Sequence, residues 1–259
     1  MQRLLDRRVT ISRKKNQEKA MILSLDLNQA PQSGKIRYEN EIEISAATKE
    51  DILATSTQAL IRWFFDQLPV GTTVVSYAQK ERIFMLDMGR KFFSKQSIFN
   101  LIDAMSLAQF NYLQLHFSEN EGFRIESEIA PEGVSEEFLK KDEIREIIDY
   151  AAMAGIEIIP DLDSPGHLKQ LLQKHPKWQL QVKDSRGKLI SDPCALNICN
   201  EEAVQFIFSL YKEYMALFSS SKYFHIGGDE FVNFDKIDNY PELTTYAKEH
   251  FGPQAEAID

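Results

Sequence analysis

The sequence predicts an α/β fold built on a parallel sheet, on three observations. From Ile83 onward, short apolar runs alternate with long amphipathic segments, the pattern of βαβ crossovers. Each apolar run ends in ionisable side chains: Asp87 and Arg90, His116 and Glu119, Asp161 and Asp163, Asp229 and Glu230. No Gly-x-Gly-x-x-Gly turn follows the first of these runs, which disfavours a doubly wound nucleotide-binding sheet. A parallel sheet brings its C-terminal strand ends to one edge. In a (β/α)8 (TIM) barrel that edge is the active-site face, so the barrel is the predicted fold.

The elements follow in order. Arg7, Arg8, Arg13, Lys14, Lys15 and Lys19 form a basic opening, read as a solvated arm. Met21 to Leu27 alternates as a strand, Gln32-Ser-Gly-Lys reads as a turn before Ile36-Arg-Tyr, and Glu41-Ile-Glu-Ile-Ser alternates at period two. Thr48, with Glu50 and Asp51 in the first turn, opens a helix reaching Leu68, whose apolar stripe includes Ile52, Ala59, Leu60, Trp63 and Phe64. Pro69-Val-Gly closes it, and Val74 to Ala78 is a further strand. Residues 1–80 thus read as a small α+β domain.

Residues 81–259 carry the barrel pattern. Strands are predicted at Ile83–Asp87, Tyr112–His116, Ile156–Pro160 and Tyr223–Ile226. Helices are predicted at Lys95–Gln109, Lys141–Ala154 (stopped by Gly155) and Glu201–Phe218. Four β units are half of the eight that a barrel of about 250 residues contains. Residues 231–259 offer no apolar run for further strands. The expectation is the first half of a (β/α)8 barrel, with two open strand edges that favour self-association.

Bulk properties narrow the partners. A formal charge of −9 and a pI near 5.2 argue against nucleic acid or an anionic membrane, and favour neutral or cationic substrates. Cys194 and Cys199 match neither a metal knuckle nor a disulfide scaffold, so a reducing compartment is expected. The N-terminus shows no apolar signal region, and no run approaches the ~18 apolar residues of a membrane span. A soluble, cytoplasmic protein without cofactor or metal is the expectation.

The stretch Tyr223-Phe-His-Ile-Gly-Gly-Asp-Glu230 is the most informative. A buried strand ending in two glycines lets the backbone approach a ligand closely. Two adjacent acids at a buried strand end repel each other and resist desolvation, so one is expected to titrate well above the other. Acid–base work on a sugar or acyl group needs that division. The alternative is a strand-to-loop exit with both acids solvated.

Four stretches then carry a resemblance: Asp87-Met-Gly-Arg90-Lys-Phe-Phe, His116-Phe-Ser-Glu-Asn-Glu-Gly-Phe-Arg124, Pro160-Asp-Leu-Asp-Ser-Pro-Gly-His167 and His225-Ile-Gly-Gly-Asp-Glu230. In identity and order they resemble the glycoside hydrolase family 20 β-N-acetylhexosaminidases, over about residues 82–235. The resemblance implies removal of terminal β-linked N-acetylhexosamine (GlcNAc or GalNAc) from an oligosaccharide or glycoconjugate. It also implies substrate-assisted retention, in which the 2-acetamido oxygen attacks the anomeric carbon and forms an oxazolinium. Glu230 would be the general acid/base and Asp229 would hold the acetamido N–H. Arg90 would grip sugar hydroxyls, or alternatively pair with Asp87. His167 would couple to Glu230, with Glu119 or Asn120 orienting it and facing the substrate side. Asp163 would line the same edge, while His116 and His225 read as hydrogen-bonded histidines, either in the core or supporting the site from behind.

Three rivals stand beside this reading. A metallohydrolase barrel lacks the His-x-His motif after its first strand. A chitinase-like barrel spaces its acids at alternate positions rather than adjacent ones. A truncated, non-catalytic remnant would retain sugar binding without turnover. The family's acetamido pocket lies in the second barrel half, so the chain alone is expected to be weakly active or inactive.

Overall fold

The computed structural model describes residues 21–255, and the chain divides into two compact units. Within the described residues the first unit gathers 21–84, 98–112 and 149–157; the second gathers 85–97, 113–148 and 158–255. The basic opening from Arg7 to Lys19 lies outside the described residues.

In the first unit, β1 (Met21–Leu25), β2 (Ser33–Tyr38), β3 (Ile42–Ala46) and β4 (Gly71–Ser76) form a sheet of order β1-β3-β2-β4. β1 pairs with β3 in parallel and the other pairs are antiparallel. Period-two alternation puts Ile36 opposite Ile44 on one face. There they form a core with Val75, Leu68 and Ala59, the last from α1 (Lys49–Phe64). The Thr48 hydroxyl caps α1 by accepting from the Asp51 amide at 3.1 Å. A Cβ on Gly34 would collide with Thr55 of α1, so a glycine there lets helix and strand approach.

Two details differ from the sequence reading. Ser33 and Gly34 belong to the β2 ladder, and Gln32, at φ +59°, makes the turn instead. The α1 helix stops at Phe64 because Asp66 adopts φ +54°; Trp63 and Phe64 are exposed rather than part of the packed stripe.

The barrel strands are β5 (Ile83–Asp87), β6 (Tyr112–His116) and β9 (Glu157–Asp161), in sheet order β5-β6-β9. Backbone bonds join their starts (Tyr112 N to Arg82 O, Glu157 N to Asn111 O) and their ends (Met88 N to His116 O, Phe117 N to Asp161 O). Starts meeting starts and ends meeting ends make the strands parallel. Helices α2 (Lys95–Leu107) and α3 (Lys141–Met153) supply the crossovers.

The predicted fourth strand is a correction. Residues 223–226 form no ladder; a single parallel bridge joins His225 to Asp161, supported by His225 N to Pro160 O at 2.9 Å and Leu162 N to His225 O at 3.1 Å. Nor is the segment buried: Tyr223 and Ile226 are exposed. With no described strand on its other side, it lacks the second partner that would desolvate it.

The remainder of the second unit frames the strand ends. β7 (Ser118–Glu119) and β8 (Gly122–Phe123) form a two-residue antiparallel pair just beyond β6. The short α4 (Lys169–Leu172) precedes a hairpin of β10 (Gln179–Lys183) and β11 (Leu189–Leu196), which the sequence reading passed over. α5 (Glu201–Leu217) is capped by the Asn200 side chain, which accepts from the amides of Glu202 and Ala203. α6 (Pro241–Phe251) packs Leu243 with Leu180, Ala195 and Tyr240. Among the described residues no helix is long and apolar enough to cross a membrane.

Candidate active site

Every residue singled out at a strand end lies in the second unit. The deepest layer is a set of ionisable side chains around His116. That ring is buried, with Nδ1 3.0 Å from Asp161 Oδ2 and Nε2 3.5 Å from Glu119 Oε1 and 3.7 Å from Asp163 Oδ2. A ring with carboxylates at both nitrogens needs both protons to satisfy them, so His116 is an imidazolium. Burial works against this charge, but the Asp161 hydrogen bond and the charges of Asp161, Asp163 and Asp87 outweigh it and raise its pKa to about 9. Asp161 also accepts from Gln114 Nε2 at 2.6 Å and sits 2.9 Å from His225 Nδ1. Burial raises Asp163 to about 6, with the negative charges of Asp161 and Asp229 adding to it.

Glu119 joins this layer to the groups that face solvent. It is only 3% exposed, and both oxygens are engaged. Oε1 meets Arg90 Nη2 at 2.6 Å; Oε2 meets His167 Nδ1 at 3.1 Å and accepts from the Asn120 amide at 2.8 Å. His167 is buried too, and its Nε2 lies 3.3 Å from Glu230 Oε2 and 3.5 Å from Asp229 Oδ2. The two acids themselves are 68% and 78% exposed for Asp229 and Glu230. The expectation of a buried pair is therefore corrected: both acids stand in solvent, as the alternative of a strand-to-loop exit has it, with His167 Nε2 as their buried neighbour.

The backbone makes close approach possible. A Cβ on Gly89 would lie 2.6 Å from the Glu119 Cβ, and one on Gly166 would lie 2.8 Å from the Asp229 carbonyl. Gly227, at φ +70°, faces the Asp163 carboxylate with no room for a side chain. His167 and Glu230 both adopt positive φ, +57° and +48°, conformations that cost non-glycine residues energy and persist where the surroundings enforce them.

The other expected residues fall as follows. Arg90 pairs with Asp87 (2.7 Å) as well as with Glu119, and the Asp87 hydrogen bond chiefly raises its pKa; its side chain is 54% exposed. Of the two residues left open as partners of His167, Glu119 lies 3.1 Å from its Nδ1, while the Asn120 Oδ1 accepts from the Lys169 amide at 3.3 Å. Glu119 is buried and engaged on both oxygens, by Arg90 on one side and by His167 and the Asn120 amide on the other. His116 is the hydrogen-bonded interior histidine expected. His225 is hydrogen-bonded to Asp161 but half exposed, so of the two expected placements it takes the one behind the strand ends rather than the core. Sequence reasoning missed Gln114, whose position at the middle of an alternating strand was the available signal. It also missed Ser118, whose Oγ accepts from the Asp163 amide at 2.8 Å.

Among the described residues, three groups of donors have metal-like spacing: His116/Asp161/Asp163, Glu119/Asp163/His167 and His167/Asp229/Glu230. The first two lie in the interior, where His116 pairs with Asp161 and His167 with Glu119. The third opens to solvent.

Comparison with known proteins bears on the fold and the family. The chain is 28% identical over 248 residues to the lacto-N-biosidase of Bifidobacterium bifidum, covering 93% of this chain and 22% of that one. It is 33% identical over 156 residues to β-hexosaminidase subunit A1 of Dictyostelium discoideum, covering 58% and 29%. Among solved structures, the Flavobacterium johnsoniae chitobiase superposes with a TM-score of 0.76 at 25% identity, over 93% of this chain and 39% of that one. A Bacteroides fragilis β-N-acetylhexosaminidase gives 0.74 at 23% identity, over 93% and 50%. The chain thus spans a quarter or so of those curated relatives and at most half of those structures, and its strands are part of a TIM barrel. The model of the glycosyl hydrolase family 20 catalytic domain matches residues 80–255, and the chain belongs to that family.

Proposed function

We propose that this chain carries the acid/base side of a glycoside hydrolase site that removes terminal β-linked N-acetylhexosamine by substrate-assisted retention. The observation that carries the reading is His167, buried against Glu119 with its Nε2 within 3.5 Å of both Asp229 and Glu230. Glu230, solvent-facing and beside an imidazole, is placed to give a proton to the departing glycosidic oxygen. The substrate's own acetamido oxygen would form the bond to the anomeric carbon, giving the oxazolinium. Glu230 would then take a proton from the water that opens it.

Asp229 would accept the acetamido N–H and balance the positive charge that grows there. It needs no covalent step. Arg90 spends two of its five N–H donors on Asp87 and Glu119 and offers the others to vicinal hydroxyls. Glu119 holds both Arg90 and His167, so one buried carboxylate would set the grip on the sugar and the position of the acid/base together.

The exposure of Asp229 and Glu230 supports a second reading, a sugar-binding chain without turnover, since water-exposed acids lack the preorganised surroundings that favour a transition state. Release of an aryl leaving group from its β-N-acetylglucosaminide separates the two. Turnover that falls by about 100-fold or more in Glu230→Gln, the scale of general acid–base catalysis, supports hydrolysis. Equal turnover in both chains sinks Glu230 as the acid/base, and no turnover from a folded chain that still binds N-acetylglucosamine sinks hydrolysis by this chain.

A further inference from the structure

We propose that His167, Asp229 and Glu230 form a three-ligand site for a zinc-type divalent transition cation, which competes with the glycoside for this end of the pocket. The ligand atoms are His167 Nε2, Asp229 Oδ2 and Glu230 Oε2. The two measured separations from Nε2 are 3.5 and 3.3 Å, and the donors of the group all lie within 4.8 Å of one another. Tetrahedral zinc with bonds of about 2.0–2.2 Å sets its donors about 3.3–3.5 Å apart, so those two separations already span its edges.

A second observation points the same way. His167 Nε2 is buried, yet it makes no aligned hydrogen bond despite the nearby carboxylates. Its other nitrogen faces Glu119 Oε2 at 3.1 Å. A carboxylate at Nδ1 takes the ring proton in the neutral tautomer and leaves the lone pair on Nε2, aimed at the two acids. Metal-binding histidines have this carboxylate support behind them, which fixes the ring and raises its basicity. Glu119 is itself fixed by Arg90 and the Asn120 amide, so the nitrogen ligand is preorganised.

The donor set chooses among cations. One imidazole with two carboxylates suits zinc, whereas magnesium prefers an all-oxygen octahedral shell. Asp229 and Glu230 are mostly exposed, which gives the ion an entry path and leaves a fourth position for water. Zinc binding requires only this geometry. The loss of turnover that would accompany it, as the metal occupies the carboxylate that carries the proton, rests on the function proposed above.

Calorimetric titration of the metal-free chain with zinc chloride, in a non-coordinating buffer near neutral pH, tests the site without reference to turnover. One zinc per chain is expected, bound at least tenfold more tightly than magnesium. His167→Asn should weaken zinc at least 100-fold. Glu119→Gln, which touches no metal, should weaken it about 10–100-fold by releasing the ring. Glu230→Gln changes a side chain in solvent and so leaves the fold intact; it should weaken zinc at least tenfold. His175→Ala, removing the surface pair of His175 with Glu132, should change nothing. Wild-type zinc affinity no greater than for magnesium overturns the proposal. Zinc binding unaffected by Glu230→Gln, or by His167→Asn with its melting temperature retained, overturns it equally.

Discussion

The strand ends fall into two kinds. β6 is flanked by β5 and β9, while β9 has β6 on one side and only the bridge to His225 on the other; their terminal groups His116 and Asp161 are buried and saturated with partners. The segment 223–226 is held by one bridge, and the acids that follow it stand in solvent. The same residue types therefore behave differently. Flanking strands remove water and force charges to pair, whereas a lone bridge leaves them hydrated. The site is built by a fixed interior set of charges reaching outward, through Glu119 and His167, to two acids that their own strand does not hold in place.

The largest expected contrast lies in stability. Leu115→Ala, which truncates a fully buried side chain of β6, should cost about 2–5 kcal/mol in denaturant unfolding. A loss under 1 kcal/mol would mean the strand can collapse around the gap, and would break the distinction.

The next effect is in pH dependence. The folded His116 has its pKa raised to about 9, above its ordinary 6.5, so its contribution is fully present below 6.5 and fades as pH rises through 9. Asp163, raised to about 6, likewise loses stability as it ionises between its ordinary 3.8 and 6. Wild type should thus lead His116→Gln in stability by most near pH 6.5, where His116 is still charged, and by progressively less toward pH 9. A gap that is constant from pH 6.5 to 9 would mean His116 contributes by packing alone.

The smallest effect belongs to the exposed flank. Ile226→Ala should change stability by no more than about 0.5 kcal/mol, because the side chain is 52% exposed. A cost near that of Leu115→Ala would show that the segment is buried in solution, and would erase the contrast.

Much of this organisation was legible in the residues. β5, β6, β9 and the three long helices follow from apolar periodicity, a local property of side-chain spacing. The clustering of Asp87, Arg90, His116, Glu119, Asp161 and Asp163 at strand ends could also be read from sequence, because a parallel sheet converts position along a strand into position in space. Half of the β10–β11 hairpin was legible: Gln179-Leu-Gln-Val-Lys alternates cleanly, although the sequence reading passed over it, whereas its partner Leu189-Ile-Ser-Asp-Pro-Cys-Ala-Leu does not. Nor was the state of residues 223–226 legible, as their apolar run Tyr223-Phe-His-Ile would suit a buried strand.

By itself the sequence determined the element order and the motifs that place the chain in its family, because both are encoded in local pattern. Only the tertiary structure decided who partners whom. It gave His167 to Glu119 rather than Asn120, shared Arg90 between Asp87 and Glu119, and made His116 the charged centre of three carboxylates. It also left Asp229 and Glu230 in water. Such choices depend on distances of a few ångströms between segments far apart in the chain, and on how much solvent each pair loses, and neither is written in local spacing.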